Sequence, residues 1–165
     1  MASWELAQLN IALPTQPLTE PELAWFVDAL EPVNAAADAA PGFRWRLQTE
    51  DGDATAIRAF GDDRLIVNMS VWASPGDLGE FVYRNPVHLA VLRRRRDSFR
   101  RLGHAHQVLW WVPAGHRPTV ADAEHRLDQL RAHGPGPTAF TLQTLHPTPD
   151  TDVAPHSDAG WYCRA

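Results

Sequence analysis

The sequence contains a single cysteine, Cys163, among its 165 residues, so no disulfide can form within the chain. Disulfides persist in oxidising compartments, and a chain without them is typical of a reducing one. The first thirteen residues also lack the basic start and apolar stretch of a signal peptide, because Glu5, Gln8 and Asn10 interrupt them. The sequence therefore predicts a cytoplasmic protein.

Positive charge is also scarce, since 15 lysines and arginines face 20 acidic residues and the formal net charge is −5. General nucleic-acid binding requires a basic surface that displaces counterions from phosphates. No apolar run approaches the roughly 20 residues that a membrane-spanning helix needs. We therefore expect neither a nucleic acid nor a membrane as a partner.

The signature motifs of several enzyme classes are missing. The chain has no Gly-x-Ser-x-Gly turn, no glycine-rich phosphate loop and no Cys-x-x-Cys pair. His104 and His106 are spaced to share one side of a strand, but no third metal ligand is spaced near them. These absences argue against a hydrolase, a kinase, a dinucleotide-dependent dehydrogenase and a metal site.

Apolar residues make up 44% of the chain, which is enough to form the core of one domain. Seven tryptophans are spread along the sequence, and we interpret most of them as core residues, with an aromatic-lined ligand pocket as the alternative. We predict one domain over residues 1–145. A tail rich in Pro, Asp and Thr follows over 146–165, and the sequence assigns no role to it or to Cys163.

The order of predicted elements indicates a ferredoxin-like fold. Apolar–polar alternation predicts five strands, at residues 5–12, 43–48, 65–72, 106–112 and 140–145. Helical spacing and capping residues predict helices, at residues 20–40 with a break or kink at Pro32, 75–83, 86–101 and 119–133. This order matches an α+β fold with an antiparallel sheet and helices on one face. A second subunit's sheet would cover the other face and close a dimeric α/β barrel.

The first three strands each divide into an apolar face and a mixed face. We expect the apolar face, which includes Phe43 and Trp45 of the second strand, to pack against the helices. The mixed face carries amides, hydroxyls, arginines and a tryptophan: Gln8, Asn10, Arg44, Arg46, Gln48, Asn68, Ser70 and Trp72. If a dimer buries this face, its polar groups need partners, and a small polar ligand is one way to supply them.

His88 lies on an apolar stripe of the predicted helix 86–101, and Arg95 lies on the same stripe. The imidazole is either a general acid or base, or an axial metal ligand. The alternative is a core histidine that is hydrogen-bonded to the backbone.

Four consecutive arginines, Arg93–Arg96, follow on the same predicted helix. They cover a full helical turn and form no single phosphate patch, so we expect a solvated face with ion pairs to acids such as Asp97.

Five segments of the chain resemble a bacterial family of proteins with a domain of unknown function: Leu6–Asn10, Pro41–Leu47, Val67–Pro75, Phe81–His88 and Trp110–Thr119. The resemblance extends from Leu6 to Thr141 and excludes the tail. That family is similar to the dimeric α/β-barrel superfamily, which also holds antibiotic-biosynthesis monooxygenases and haem-degrading monooxygenases. The resemblance implies a homodimer with a pocket for a small organic molecule.

The haem-degrading members of that superfamily use an asparagine on the first strand, a tryptophan ending the third and a histidine on the next helix. Asn10, Trp72 and His88 occupy the corresponding elements of this sequence. Arg95, on the same helix face as His88, departs from the haem-site pattern. We therefore expect no cofactor, and haem is the alternative.

The leading hypothesis is a homodimer with a pocket between the mixed sheet face and the helix of His88, where a partly apolar metabolite undergoes cofactor-independent oxygenation or proton transfer. His88 would be the acid or base, and Asn10 and Asn68 would hold a carbonyl or oxyanion. Five further side chains would contact the ligand: Trp72, Tyr83, Arg95, Ser70 and Gln8. The alternatives are a non-catalytic module that binds haem or a metabolite, and a purely structural homodimer.

Overall fold

A computed structural model describes residues 3–150 of the chain. These residues form five strands: β1 (Trp4–Pro14), β2 (Phe43–Arg46), β3 (Ile66–Trp72), β4 (Phe99–Arg100) and β5 (Gln107–Pro113). They also form four α-helices: α1 (Ala24–Asp38), α2 (Pro75–Arg84), α3 (Pro86–Arg94) and α4 (Val120–His133). Short 3-10 turns precede α1 and follow α3.

All strand pairs are antiparallel, and the strand order is β2–β3–β1–β5, with β4 paired to the end of β1. Without the short β4, this is the strand order of a ferredoxin-like unit, and the predicted α+β class is confirmed. The register aligns three rows of side chains across β3, β1 and β5: Trp72–Leu6–Trp111, Ser70–Gln8–Leu109 and Asn68–Asn10–Gln107.

The helices α1, α2 and α3 lie over the mixed face of the sheet, contrary to the prediction that they pack on the apolar face. Leu6 and Trp72, which share the mixed face with Gln8 and Ser70, pack with Leu78 and Phe81 of α2. Aromatic and aliphatic residues at one end of the mixed face therefore form the helix contact. The polar residues at its other end line a space between sheet and helices.

The apolar face is covered by α4 and by the segment 47–65 of the same chain. Leu9 and its row neighbours Met69 and Val108 are at most 1% exposed, and they belong to one core with Leu127 of α4. Ala59 and Leu65 of segment 47–65 complete this core. The apolar face is therefore covered within one chain by α4 and segment 47–65, and the mixed face, which was expected to be bare, lies under α1, α2 and α3.

Both faces of the sheet are thus covered by helices of the same chain. The homodimer itself stays a prediction, and sedimentation velocity would measure it. No helix within residues 3–150 is long and apolar enough to cross a membrane.

Two helices differ from their predicted lengths. Pro32 lies inside a continuous α1, because its position is exposed and the carbonyl that loses its intrahelical partner can bond to water. The third helix ends at Arg94 and not at 101, since Phe99 and Arg100 extend to pair with Pro14 and Leu13 of β1.

Two strand predictions also need correction. A bulge between Phe43 and Trp45 places Phe43 against Trp72 on the mixed face, whereas Trp45 packs into the apolar core, so the two do not share a face as predicted. The predicted strand 140–145 is reduced to isolated bridges, and Phe140 pairs only with Leu109 at the outer edge of β5.

The first residues of the predicted tail contact the sheet. The indole Nε1 of Trp111 donates to the carbonyl of His146 at 2.8 Å, and that of Trp4 donates to Asp150 Oδ2 at 2.7 Å. The boundary at residue 145 stays a prediction, and residues 151–165, with Cys163, lie outside the described residues.

We expect Leu127→Ala to destabilise the fold by about 2–5 kcal/mol, because it leaves a cavity between α4 and the sheet. Urea denaturation followed by circular dichroism measures this free energy of unfolding. The matched control is Leu145→Ala at an exposed leucine, with an expected change within about 0.5 kcal/mol. Equal stability of the two variants would contradict the role of α4 as the cover of the apolar face.

Candidate functional site

A cavity of about 350 Å³ lies between the mixed face of the sheet and helices α1, α2 and α3. All eight residues predicted from the sequence line it: Gln8, Asn10, Asn68, Ser70, Trp72, Tyr83, His88 and Arg95. The strands supply the polar floor, and the helices supply His88, Arg95 and most of the apolar wall. This volume suits a small organic molecule.

A hydrogen-bond network fixes the floor of the cavity. Gln8, which is 5% exposed, donates from Nε2 to Asn68 Oδ1 at 2.7 Å and to Ser70 Oγ at 3.0 Å. Ser70 Oγ also accepts from the indole Nε1 of Trp72 at 2.8 Å. Because these groups satisfy one another, they hold the Trp72 ring and the Asn68 amide in fixed positions.

Two amides remain free to bind a ligand. Asn10 makes no side-chain hydrogen bond within residues 3–150, and it lies between Asn68 and Gln107 in its row. Asn68 uses its oxygen to accept from Gln8, so its Nδ2 group has no partner in the described part of the chain. Asn68 is solvent-exposed, which places this donor at the open end of the cavity.

The helix start at Asn85 positions His88. Asn85 Oδ1 accepts from the backbone N–H groups of Val87 and His88 and so caps α3, with Pro86 in the first position. His88 Nδ1 lies 2.9 Å from the carbonyl oxygen of Val82. A carbonyl only accepts, so Nδ1 carries the hydrogen, and Nε2 keeps its lone pair with no partner in residues 3–150.

Burial lowers the pKa of His88, and the positive charge of Arg95 lowers it further, while the hydrogen bond to Val82 raises it. The imidazole is therefore neutral at neutral pH. A neutral imidazole with a free Nε2 can accept a proton from a ligand or bind a metal.

A cluster of aromatic rings forms the apolar wall next to His88. The Phe81 ring lies 5.0 Å from the His88 ring and 5.3 Å from the Trp72 ring, centroid to centroid. Phe43 meets Trp72 edge-on at 5.4 Å. Tyr83, predicted as part of this wall, is 48% exposed and lies at the rim of the cavity.

The four arginines of the run Arg93–Arg96 differ in exposure, because successive residues of a helix point in different directions. Arg93, Arg94 and Arg96 are exposed, whereas Arg95 is half-buried and lines the cavity. The expected ion pairs to Asp97 are absent from the described residues. Arg94 instead lies 4.7 Å from the ring centroid of Trp25, because its long side chain extends across the surface.

Several cavity residues were missed in the sequence, most of them on α1 and in segment 47–65: Phe26, Leu30, Val33, Asn34, Asp53 and Thr55. The apolar stripe of α1 gave no sign that it faced a polar sheet surface. Gln107 was detectable, since it aligns with Asn10 once β5 is paired with β1. Phe81 was detectable from the apolar stripe of α2, which it shares with Leu78.

No three His, Cys, Asp or Glu side chains in the described ranges are close enough to hold a metal ion. His106 reaches the cavity lining, and His104 is exposed elsewhere. Of the two imidazoles in the cavity lining, His106 is exposed, whereas His88 is half-buried and held by its hydrogen bond to Val82.

The fold is α+β, with a ferredoxin-like antiparallel sheet and a cavity under its helices. A family model described as a domain of unknown function, DUF3291, matches residues 5–156. The chain therefore belongs to the DUF3291 family, and the family resemblance predicted from the sequence is confirmed. No curated protein matches the chain.

Three solved structures are similar to the chain. SnoaB, a cofactor-independent oxygenase from Streptomyces nogalater, is 16% identical, with 70% of this chain and 96% of that chain covered and a TM-score of 0.43. A protein from Nitrosomonas europaea, provisionally designated an antibiotic biosynthesis monooxygenase, is 13% identical, with 70% and 92% covered and a TM-score of 0.42. PA3566 from Pseudomonas aeruginosa is 13% identical, with 72% and 97% covered and a TM-score of 0.38.

We expect His88 to titrate below the usual range for histidine and Arg95→Gln to raise its pKa, because a nearby cation disfavours the imidazolium. Arg46, Asp53 and His106 also line the cavity and stay unchanged in this variant. Nitrogen-15 chemical shifts of the imidazoles, followed against pH, measure both values. Arg93→Gln, at an exposed arginine of the same helix, should leave the His88 midpoint in place. A His88 midpoint at the ordinary value in wild type would show that the ring is not buried as described.

Proposed function

We propose that the chain is a small-molecule enzyme that uses His88 as an acid or base on a partly apolar metabolite held in this cavity. The observation that supports the proposal most is the state of His88. Its Nδ1 is bonded to the carbonyl of Val82, which leaves Nε2 as a free base in a cavity that also presents the unbonded amide of Asn10. A general base must combine a free lone pair with access to the substrate.

The chemistry that fits this arrangement is proton transfer from a carbon next to a carbonyl group. Nε2 of His88 takes the proton, and the electron pair of the broken C–H bond moves onto the carbonyl oxygen. The N–H groups of Asn10 and Asn68 would donate to that oxygen and stabilise its negative charge. The ring of Trp72, held by Ser70, would support the apolar part of the substrate.

The same carbanion can be oxygenated when dioxygen is the second substrate. The carbanion carbon then bonds to dioxygen, and loss of water from the resulting hydroperoxide turns a CH₂ group into a carbonyl. The balance is one CH₂ and one O₂ consumed, and one C=O and one H₂O formed. We include monooxygenase-like chemistry on this ground, together with a homodimeric assembly and a cytoplasmic location as parts of the proposal.

A comparison of His88→Gln with His125→Gln tests this function, because His125 is exposed on α4, on the opposite side of the sheet. Each protein is incubated with a bacterial metabolite extract in D₂O under labelled dioxygen, and the products are resolved by mass spectrometry. Wild type and His125→Gln should exchange or oxygenate the same metabolite, and His88→Gln should be slower by about 10²–10⁴-fold.

Incorporation of labelled oxygen would identify the oxygenase version, and deuterium without oxygen would identify the isomerase version. Turnover that survives in His88→Gln would show that His88 is not the acid or base. Wild type that binds a metabolite without converting it would refute the enzyme and favour the binding module.

The hydrogen bonding of His88, with Nδ1 bonded and Nε2 free, also favours a second candidate, a haem-binding module. Histidines that bind metals commonly donate their other N–H group to a carbonyl, as His88 does to Val82. His88 would hold the haem iron, and Arg95, which lines the same cavity, would pair with a haem carboxylate. Bound haem would supply redox chemistry that the side chains lack.

Titration with haemin tests the second candidate. Binding through His88 should give a shifted Soret band with one haem per chain that His88→Gln abolishes and His125→Gln preserves. The same spectrum in wild type and His88→Gln would refute ligation by His88.

A further inference from the structure

Arg95 is the residue of the arginine run that the helix directs into the cavity. It follows the last turn of α3, seven residues after His88, and lines the same space. Its guanidinium carbon lies 5.9 Å from the ring centroid of Phe99. The side chain is half-buried, so its charge is partly removed from water.

No carboxylate pairs with Arg95, and no group accepts a hydrogen bond from it, within residues 3–150. Arg46, which also lines the cavity, is paired: its Nε lies 2.8 Å from Asp38 Oδ1, and a terminal nitrogen donates to the carbonyl of Gly52 at 2.6 Å. A partly buried cation without a counter-ion costs free energy. In agreement, burial lowers the pKa of Arg95.

The cavity offers no internal counter-charge for Arg95. Asp53 is the single acidic residue among the described lining residues. Its Oδ1 accepts from Thr55 N at 2.8 Å and from Thr55 Oγ1 at 2.7 Å, so it is held in its own loop. Arg46 is already paired with Asp38, so Arg95 is the lining cation without a counter-ion among the described residues. This unpaired charge favours an anionic ligand, although the overall charge of the chain is negative.

We infer that the ligand of this cavity carries a carboxylate that binds Arg95 through paired N–H donors, while its apolar body lies against Trp72 and Phe81. The planar guanidinium matches a carboxylate in geometry as well as in charge. His88 and Arg95 stand about 10 Å apart along a helix axis, so a ligand that contacts both has a body of several carbon atoms. The inference rests on the proposed function for the role of His88, but carboxylate binding needs no turnover.

Calorimetric titration with matched pairs of probes tests the inference on the full chain. The probes are naphthoate with naphthalenemethanol, and phenylbutyrate with phenylbutanol. Within each pair the carbon skeleton is constant, and an uncharged hydroxymethyl group replaces the carboxylate. The proteins are wild type, Arg95→Gln, Arg95→Lys and Arg93→Gln, the last altered at an exposed arginine of α3. Circular dichroism confirms that each variant is folded.

We expect wild type and Arg93→Gln to bind at least one carboxylate about 10–100-fold more tightly than its alcohol. Arg95→Gln should lose that preference and keep the affinity for the alcohol, and Arg95→Lys should keep part of it. Equal binding of acid and alcohol by wild type would overturn the inference. So would a preference that survives in Arg95→Gln, or the absence of carboxylate binding at about 1 mM.

Haem also carries carboxylates, on its propionate groups. A separate arm of the test therefore compares the affinity for haemin with the affinity for its dimethyl ester. A preference for haemin over the ester that depends on Arg95 supports the inference and assigns the carboxylate to haem.

The His88→Gln variant separates this inference from the proposed function. If it binds the carboxylates while wild type shows no turnover, the enzyme proposal fails and the carboxylate site stands. If wild type converts only uncharged metabolites and Arg95→Gln is as fast, the enzyme stands and the carboxylate site fails.

Discussion

The alternation of side chains along β1 is the constraint on which the rest of the structure depends. Each second residue of this central strand faces α4, and the intervening residues face α1, α2 and α3. One face is uniformly apolar and forms a closed core. The other face carries Gln8 and Asn10, whose amides cannot be buried without partners. The helices therefore pack at the apolar end of this face and leave a cavity at its polar end.

Because α4 covers the apolar face, the chain buries this face without a partner, which a bare sheet could not do. The capping box of Thr119 and Asp122 starts α4 close after β5, so the helix folds back on the strand it follows. Leu127 and Leu130 then reach the core beside Val108. The cavity on the other face is thus formed within one chain, from residues of β1, β3 and α1–α3, and all groups of the proposed site belong to it.

Much of the fold was accessible from the sequence because its signals are local. Ser74, Asn85 and Thr119 begin helices where capping chemistry predicts, and Gly134 ends α4. The eight predicted site residues meet in one cavity because strand alternation and helical spacing determine which side chains share a face. Which face each helix covers was not accessible, because that choice depends on long-range packing between α4 and the sheet. The end of α3 and the bulge after Phe43 were missed for the same reason, since pairing with β1 and β3 decides both.

The hydrogen bond between His88 and Val82 has a stereochemical consequence. A backbone carbonyl cannot take up a proton, so Nδ1 offers no exit for a proton that arrives at Nε2. The imidazole is therefore no relay: what it removes from a substrate it must give back from the same atom. A base of this kind returns hydrogen to the face from which it came. Deuterium from solvent would then reach the substrate through exchange at Nε2 itself, by way of the open end of the cavity at Asn68, and would enter on the face from which hydrogen left.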